Sequence, residues 1–185
     1  MRKRIAKVRF RRRRESLTNY RKRVAMVKSG LERVVVRRSN RRIIGQVIKY
    51  EAKGDVALAY ADSQELKKFG WPSRGNKPTA YLTGLLLARK AGQRGECILD
   101  IGLSSPVKNS IPFVFAKGCK DGGLRLKGNF EIDENVYNYS NSKYAKELME
   151  KNKSQFGEYA RSGIAPEKLN ALFNETKGKI LKIEK

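Results

Sequence analysis

The chain contains no histidine. That absence removes the side chain that most readily gives and takes protons near neutrality. It excludes a Ser-His-Asp triad and a Cys-His dyad. Cysteine is scarce as well, with Cys97 and Cys119 the only two. A four-ligand structural zinc site would have to be completed by Asp or Glu, which is unusual. Two isolated cysteines do not make the disulfide framework of a small secreted domain, and they suit a reducing compartment. No apolar run approaches the roughly 18 residues of a bilayer-spanning helix. The N-terminal residues are charged and lack an apolar h-region, so they do not read as a secretory signal. An Arg-rich start admits a mitochondrial transit peptide, but serines are few and no cleavable boundary follows. Acidic residues are outnumbered: 18 Asp plus Glu stand against 42 Lys plus Arg, a formal charge of +24 in 185 residues.

The positive charge is concentrated. Residues 1–42 hold 18 basic and 2 acidic side chains, and the remainder holds 24 basic and 16 acidic. A segment so charged repels itself and needs a polyanion to order it. Arginine dominates there: Arg9, Arg11, Arg12, Arg13, Arg14, Arg21, Arg23, Arg37, Arg38, Arg41 and Arg42 among others. A planar guanidinium binds phosphate bidentately and stacks on bases, which an ammonium does not do. Phe10 and Tyr20 are interleaved and suit stacking on unpaired bases. The composition therefore favours nucleic acid as partner. A membrane surface is disfavoured, because residues 1–16 lack a continuous apolar face.

The chain is expected to divide into residues 1–30, a basic arm and helix suited to nucleic acid; 31–125, an α/β core; and 126–185, a helical C-terminal extension. Residues 1–16 are expected to be extended until bound. Residues 17–29 read as a helix capped by Thr18 or Asn19, with Leu17, Tyr20, Val24 and Val27 on one face. Arg21, Lys22 and Arg23 are expected on the other. Three strands follow, Glu32–Arg38, Arg42–Ala52 and Val56–Ala61, joined by turns at Ser39-Asn40 and Lys53-Gly54-Asp55 into an antiparallel meander. Asp62 and Glu65 form a capping-box spacing for a short helix ending at Gly70. Asn76 caps a helix over Lys77–Ala91. Cys97–Leu103 is nearly all apolar and is expected as a central strand. Ser110–Gly122 is a helix with Pro112 in its first turn. From about Arg125 the chain turns polar and aperiodic. Short helices are expected at Ser142–Lys151 and Pro166–Asn174, and the last 45 residues read as an appendage. The fold class is α/β, a mixed sheet with packed helices.

Three constellations invite chemistry. Gly70–Thr79 approaches a phosphate loop, GxxxxGK[ST]. An extra Asn76 precedes Lys77, Pro78 follows it, and a helix rather than a strand leads in. The simpler reading is a loop entering a capped helix, with Arg74 and Lys77 available to phosphate. Asp55, Asp62 and Asp100 would suit a metal-dependent nuclease only if they converged. A turn, a helix cap and a strand charge account for them separately. The RRSNRR hairpin, Arg37, Arg38, Ser39, Asn40, Arg41 and Arg42, projects hydrogen-bonding side chains from a sheet edge, a mix suited to phosphate, ribose and base edges.

RRRRE at 11–15, Tyr20, KSG at 28–30, VVVRRSNRRI at 34–43, Gly70-Trp71, AYLTGLL at 80–86 and LDIGL-SP at 99–106 resemble one family. It is the archaeal form of universal large-subunit ribosomal protein eighteen, relative of eukaryotic ribosomal protein five. The resemblance is close over residues 1–125 and looser beyond. It implies a ribonuclease-H-like topology without the nuclease site, no enzymatic activity and no cofactor or metal. It further implies a cytosolic protein that binds 5S ribosomal RNA and attaches it to 23S ribosomal RNA among neighbouring proteins of the central protuberance. Neither a membrane nor a small-molecule substrate is implied. RNA-contacting positions carried over are Arg9, Arg11 to Arg14, Tyr20, Arg21, Arg23, Arg37, Ser39, Asn40 and Arg42, with the Arg74–Asn76 loop a weaker candidate.

Overall fold

Valine-rich extended runs assemble a four-stranded mixed sheet of order β3-β2-β1-β4. β1 (Glu32–Arg38), β2 (Ile43–Lys49) and β3 (Val56–Asp62) form the expected antiparallel meander, and β4 (Cys97–Asp100) lies parallel to β1. The computed structural model describes residues 8–138, 161–183 and, between them, Glu147, Glu150, Lys151 and Tyr159. The second strand is shorter than its sequence pattern implies and ends at Lys49.

β4 departs from expectation: it stands at the sheet edge, not the centre, and stops at Asp100. Its apolar run reflects cover over its faces rather than strands on both sides. Part of the edge is closed by residues 125–127. There Cys97 N–H donates to the Arg125 carbonyl at 2.7 Å and Lys127 N–H donates to the Cys97 carbonyl at 2.8 Å. Burial, with Glu32 nearby, pushes the Cys97 thiol up to about 11, and burial also raises the Cys119 thiol well above its ordinary value, so both thiols stay protonated near neutrality.

A 3₁₀ helix (Ser63–Phe69) opens on the Asp62–Glu65 capping box. α3 (Lys77–Ala91) is capped by Asn76, whose side chain accepts from Thr79 N–H, and α4 spans Ile111–Asp121. Together they cover the sheet face bearing Val34, Val36, Ile43 and Val47, all buried. The two helices touch backbone to backbone. A Cβ on Gly84 would stand 2.2 Å from the Phe115 carbonyl oxygen, and one on Gly118 would stand 2.1 Å from that of Tyr81. No residue but glycine permits that approach.

The C-terminal part is not an appendage. α6 (Leu169–Leu181) continues a 3₁₀ turn (Pro166–Lys168), and its Leu169, Phe173 and Ile180 are buried in the same core. Before it, α5 (Asn135–Asn138) brings Tyr137 onto Tyr81, stacked at 4.3 Å. Trp71 is fully buried and meets Tyr159 and Phe173 edge-on at 5.8 and 6.0 Å. Leu124, Leu126, Phe130 and Ile132 bury the polar stretch's few apolar groups. Most of the helix expected over 142–151 lies outside the described residues. Among the described residues, no helix is long and apolar enough to cross a membrane.

On the opposite sheet face lie a single helical turn, α1 (Arg11–Arg14), and α2 (Tyr20–Lys28), capped by the Asn19 side chain accepting from Lys22 N–H. The arm is therefore not extended throughout.

The surroundings of three glycines predict different outcomes for their replacement by alanine. Gly118→Ala should cost about 1–3 kcal/mol, because the added methyl meets backbone that cannot yield. Gly95→Ala, facing open space, should stay within about 0.5 kcal/mol. Gly178→Ala, inside α6 with open space around it, should stabilise by about 0.5–1 kcal/mol. Urea titrations of the three variants read all of these directly.

Candidate nucleic-acid interface

Side chains alternate across a strand, so β1 presents Val34 and Val36 to the core and Arg33, Val35 and Arg37 to the other face. Register places Ile48, Gln46 and Ile44 of β2 beside those three. α2 lies over this second face with Tyr20, Arg23, Met26 and Val27 half-buried, while Arg21, Lys22 and Val24 are exposed. Arg23 thus points toward the sheet, contrary to its expected place on the outer face. Between α1, α2 and the sheet runs a cleft of about 620 Å³, lined by Arg12, Lys22, Arg23, Arg37 and Arg38 together with Asp55 and Asp100.

A chain of ion pairs forms the floor of this cleft. Arg33, only 3% exposed, holds Asp55 at 2.7 Å with one guanidinium nitrogen and faces Asp100 at 3.5 Å with the other. Asp55 also receives Arg23 of α2 at 2.8 Å. Asp100 receives Arg37 at 3.2 Å and accepts the Gly102 N–H at 2.8 Å. Arg37 is pinned further by donating to the Asp100 and Val36 carbonyls at 2.9 and 2.8 Å. Three arginines therefore share two carboxylates. The buried arginine is compensated, and the partly exposed Arg23 and Arg37 carry the surplus charge at the cleft's mouth. Asp55 and Asp100 act as counter-ions on either side of Arg33, while Asp62 caps the 3₁₀ helix. Among the described residues, no three His, Cys, Asp or Glu side chains are grouped to hold a metal ion.

The remaining nominated side chains fall into three groups. Arg9, Arg11, Arg13 and Arg14 are exposed on the arm, whereas Arg12 donates from Nε to Thr18 Oγ1 at 2.9 Å and so folds the arm back toward α2. In the hairpin, Ser39 N–H donates to the Arg42 carbonyl at 2.8 Å and Arg42 N–H donates to Ser39 Oγ at 3.0 Å. That tight turn leaves Arg38, Ser39, Asn40, Arg41 and Arg42 exposed. Arg74 joins the hairpin across space, because Gly75 packs against its tip: a Cβ there would meet the Ser39 carbonyl oxygen at 3.0 Å. Asn76 is turned inward instead. It is buried, accepts from Thr79 N–H and donates to the Tyr159 hydroxyl at 2.8 Å, so it offers no edge to a partner.

The structure adds side chains that sequence reasoning passed over. Lys22 lines the cleft. Tyr60, 44% exposed, stands opposite Gln46 on the second face. Desolvation and then Asp62 raise its pKa, and its hydroxyl donates to that carboxylate at 3.4 Å, so the ring stays a protonated aromatic platform. The alternation in VALAYAD was the signal that would have placed it there.

A family model described as ribosomal large subunit proteins 60S L5 and 50S L18 matches residues 3–96, just over half of the chain. The match spans the arm, α2, the meander and α3, and it includes every side chain nominated above from Arg9 to Asn76.

The ion-pair chain predicts unequal costs for two arginine replacements. Arg33→Met strips two carboxylates of a buried partner and should cost about 3 kcal/mol or more in urea unfolding. Arg23→Met, at a 43% exposed side chain, should cost less than about 1 kcal/mol. Equal losses would mean that the network does not organise the face.

Proposed function

Since the chain belongs to the family of ribosomal large subunit proteins 60S L5 and 50S L18, and is thus an RNA-binding large-subunit protein of translation, we propose that it binds 5S ribosomal RNA and fastens it to 23S ribosomal RNA in the central protuberance. The observation that carries this reading is the coincidence of three things in one stretch of chain: the family match, the arginine excess and the cleft over the second sheet face. The antiparallel trio continued by a parallel fourth strand supports a ribonuclease-H-like topology. The interface comprises Arg9 and Arg11–Arg14 of the arm, Tyr20, Arg21 and Arg23 of α2, and Arg37, Arg38, Ser39, Asn40, Arg41 and Arg42 of the hairpin. Arg74 stands beside the hairpin tip.

The division of labour is physical. Arm arginines neutralise phosphates and release counter-ions, a contribution indifferent to sequence. Tyr20 and Asn40 sit where a base edge or face is read, so they discriminate. The protein holds RNA and performs no chemistry on it, in the cytosolic large subunit beside other central-protuberance proteins.

Replacing Arg11–Arg14 together by Ala should lower the slope of log K against log salt by about 3, at ~0.7–0.9 per phosphate contact, on any RNA. Tyr20→Ala or Asn40→Ala should weaken binding of 5S RNA by about tenfold while changing binding of unrelated RNA little. Filter binding at several salt concentrations measures both effects. Unaltered 5S RNA affinity in all three variants would contradict the proposal.

A further inference from the structure

Beside the hairpin, and sharing no lining residue with the α2 cleft, lies a second concavity of about 340 Å³. Arg41 and Arg42 come from the hairpin, Lys67 from the 3₁₀ helix, Arg74 from the following loop and Arg161 from the C-terminal part. Ser73 and Gln64 supply the neutral lining, and no carboxylate lines it among the described residues. Asp62 lies 3.8 Å from Arg42, and Arg74 is itself engaged by a partner.

The hairpin, the segment from Gln64 to Arg74 and Arg161 meet here, and buried contacts hold the first two together. Gly75 seats its loop against the Ser39 and Asn40 carbonyl oxygens, which a Cβ there would meet at 3.0 and 3.3 Å. Ser73, 3% exposed, donates from Oγ to Ser63 Oγ at 2.8 Å, and Ser63 Oγ in turn accepts the Ile43 N–H at 3.1 Å. The Ser73–Gly75 loop is thus fixed to the start of β2 before any partner arrives. Basic side chains gathered from both sides of one hollow favour an anion of high charge density. Guanidinium forks select phosphate oxygens over diffuse negative charge.

We propose that this concavity is a second RNA site, one that takes phosphates crowded together where a folded RNA backbone turns, and that it is saturable separately from the arm and α2 cleft. The arm suits phosphates in single file; the hollow suits a cluster. The inference rests on the reading of the protein as an RNA binder, but it does not depend on 5S RNA being the target.

The test uses Lys67→Gln/Arg161→Gln, two exposed positions outside the first interface, with thermal melting to establish that the variant is folded. 5S RNA and an unrelated structured RNA of similar length are titrated over a range of salt, and inorganic tripolyphosphate serves as a small probe. The double variant should lose tripolyphosphate binding that the Arg11–Arg14 alanine variant retains. Its slope of log K against log salt should fall by about 1.4–1.8 on RNA. Loss of tripolyphosphate binding with an unchanged RNA slope would identify a pocket for a free polyphosphate and overturn the proposal. Wild-type behaviour with both probes would overturn it as well. If wild-type protein shows no preference for 5S RNA yet the slope still falls, the 5S assignment fails and this site stands.

Discussion

The structure turns on one buried guanidinium. Arg33 sits near the start of β1 where a strand with helices on one side would ordinarily place an apolar residue or leave a wet face. Burying its charge alone would cost several kcal/mol, and Asp55 and Asp100 make it tolerable. The same two carboxylates reach outward to Arg23 and Arg37. One ion-pair chain therefore ties α2, the turn before β3, β1 and the end of β4 together. It also determines that the second sheet face is charged, closed beneath and positive at its rim.

That arrangement explains how a chain of such positive charge keeps an orderly domain. The core uses only one sheet face, packed by α3, α4 and the aromatic set of Trp71, Tyr81, Tyr137, Tyr159 and Phe173. The cations are sent to the other face and to the hairpin tip, where carboxylates neutralise those that must be buried and solvent screens the rest. A polyanion then meets side chains whose backbone is already placed. Ordering is confined to the exposed arginines, so less of the binding free energy is lost to it.

Much of this was legible from residues. The valine runs, the capping box at Asp62–Glu65 and the Asn76 cap each sit where local chemistry demands them, and all three were found at their expected positions. What escaped has a common cause: contact between residues distant in sequence. Arg23 reads as outward by helical periodicity, and only Asp55, thirty-two residues on, turns it inward. β4 reads as central because both its faces are covered, but a strand's neighbours cannot be told from its composition. Tyr137 and Phe173 look isolated in polar surroundings, yet Tyr81 of α3 meets both and Trp71 meets Phe173. Arg161 carries no local signal, and the hollow it helps line exists only in three dimensions. The arm arginines and the hairpin were visible because charge density, unlike packing, is a property of the sequence itself.

The central claim is that RNA is held on the arm, α2 and the hairpin, while the α3–α4–α6 side remains a core without a nucleic-acid role. Hydrogen–deuterium exchange of the protein alone and saturated with 5S ribosomal RNA tests it most directly. The account predicts slowed exchange for amides in residues 11–28 and 37–42, with α4 and α6 unchanged. Protection confined to α4 and α6, with the arm and hairpin exchanging as in the free protein, would contradict it.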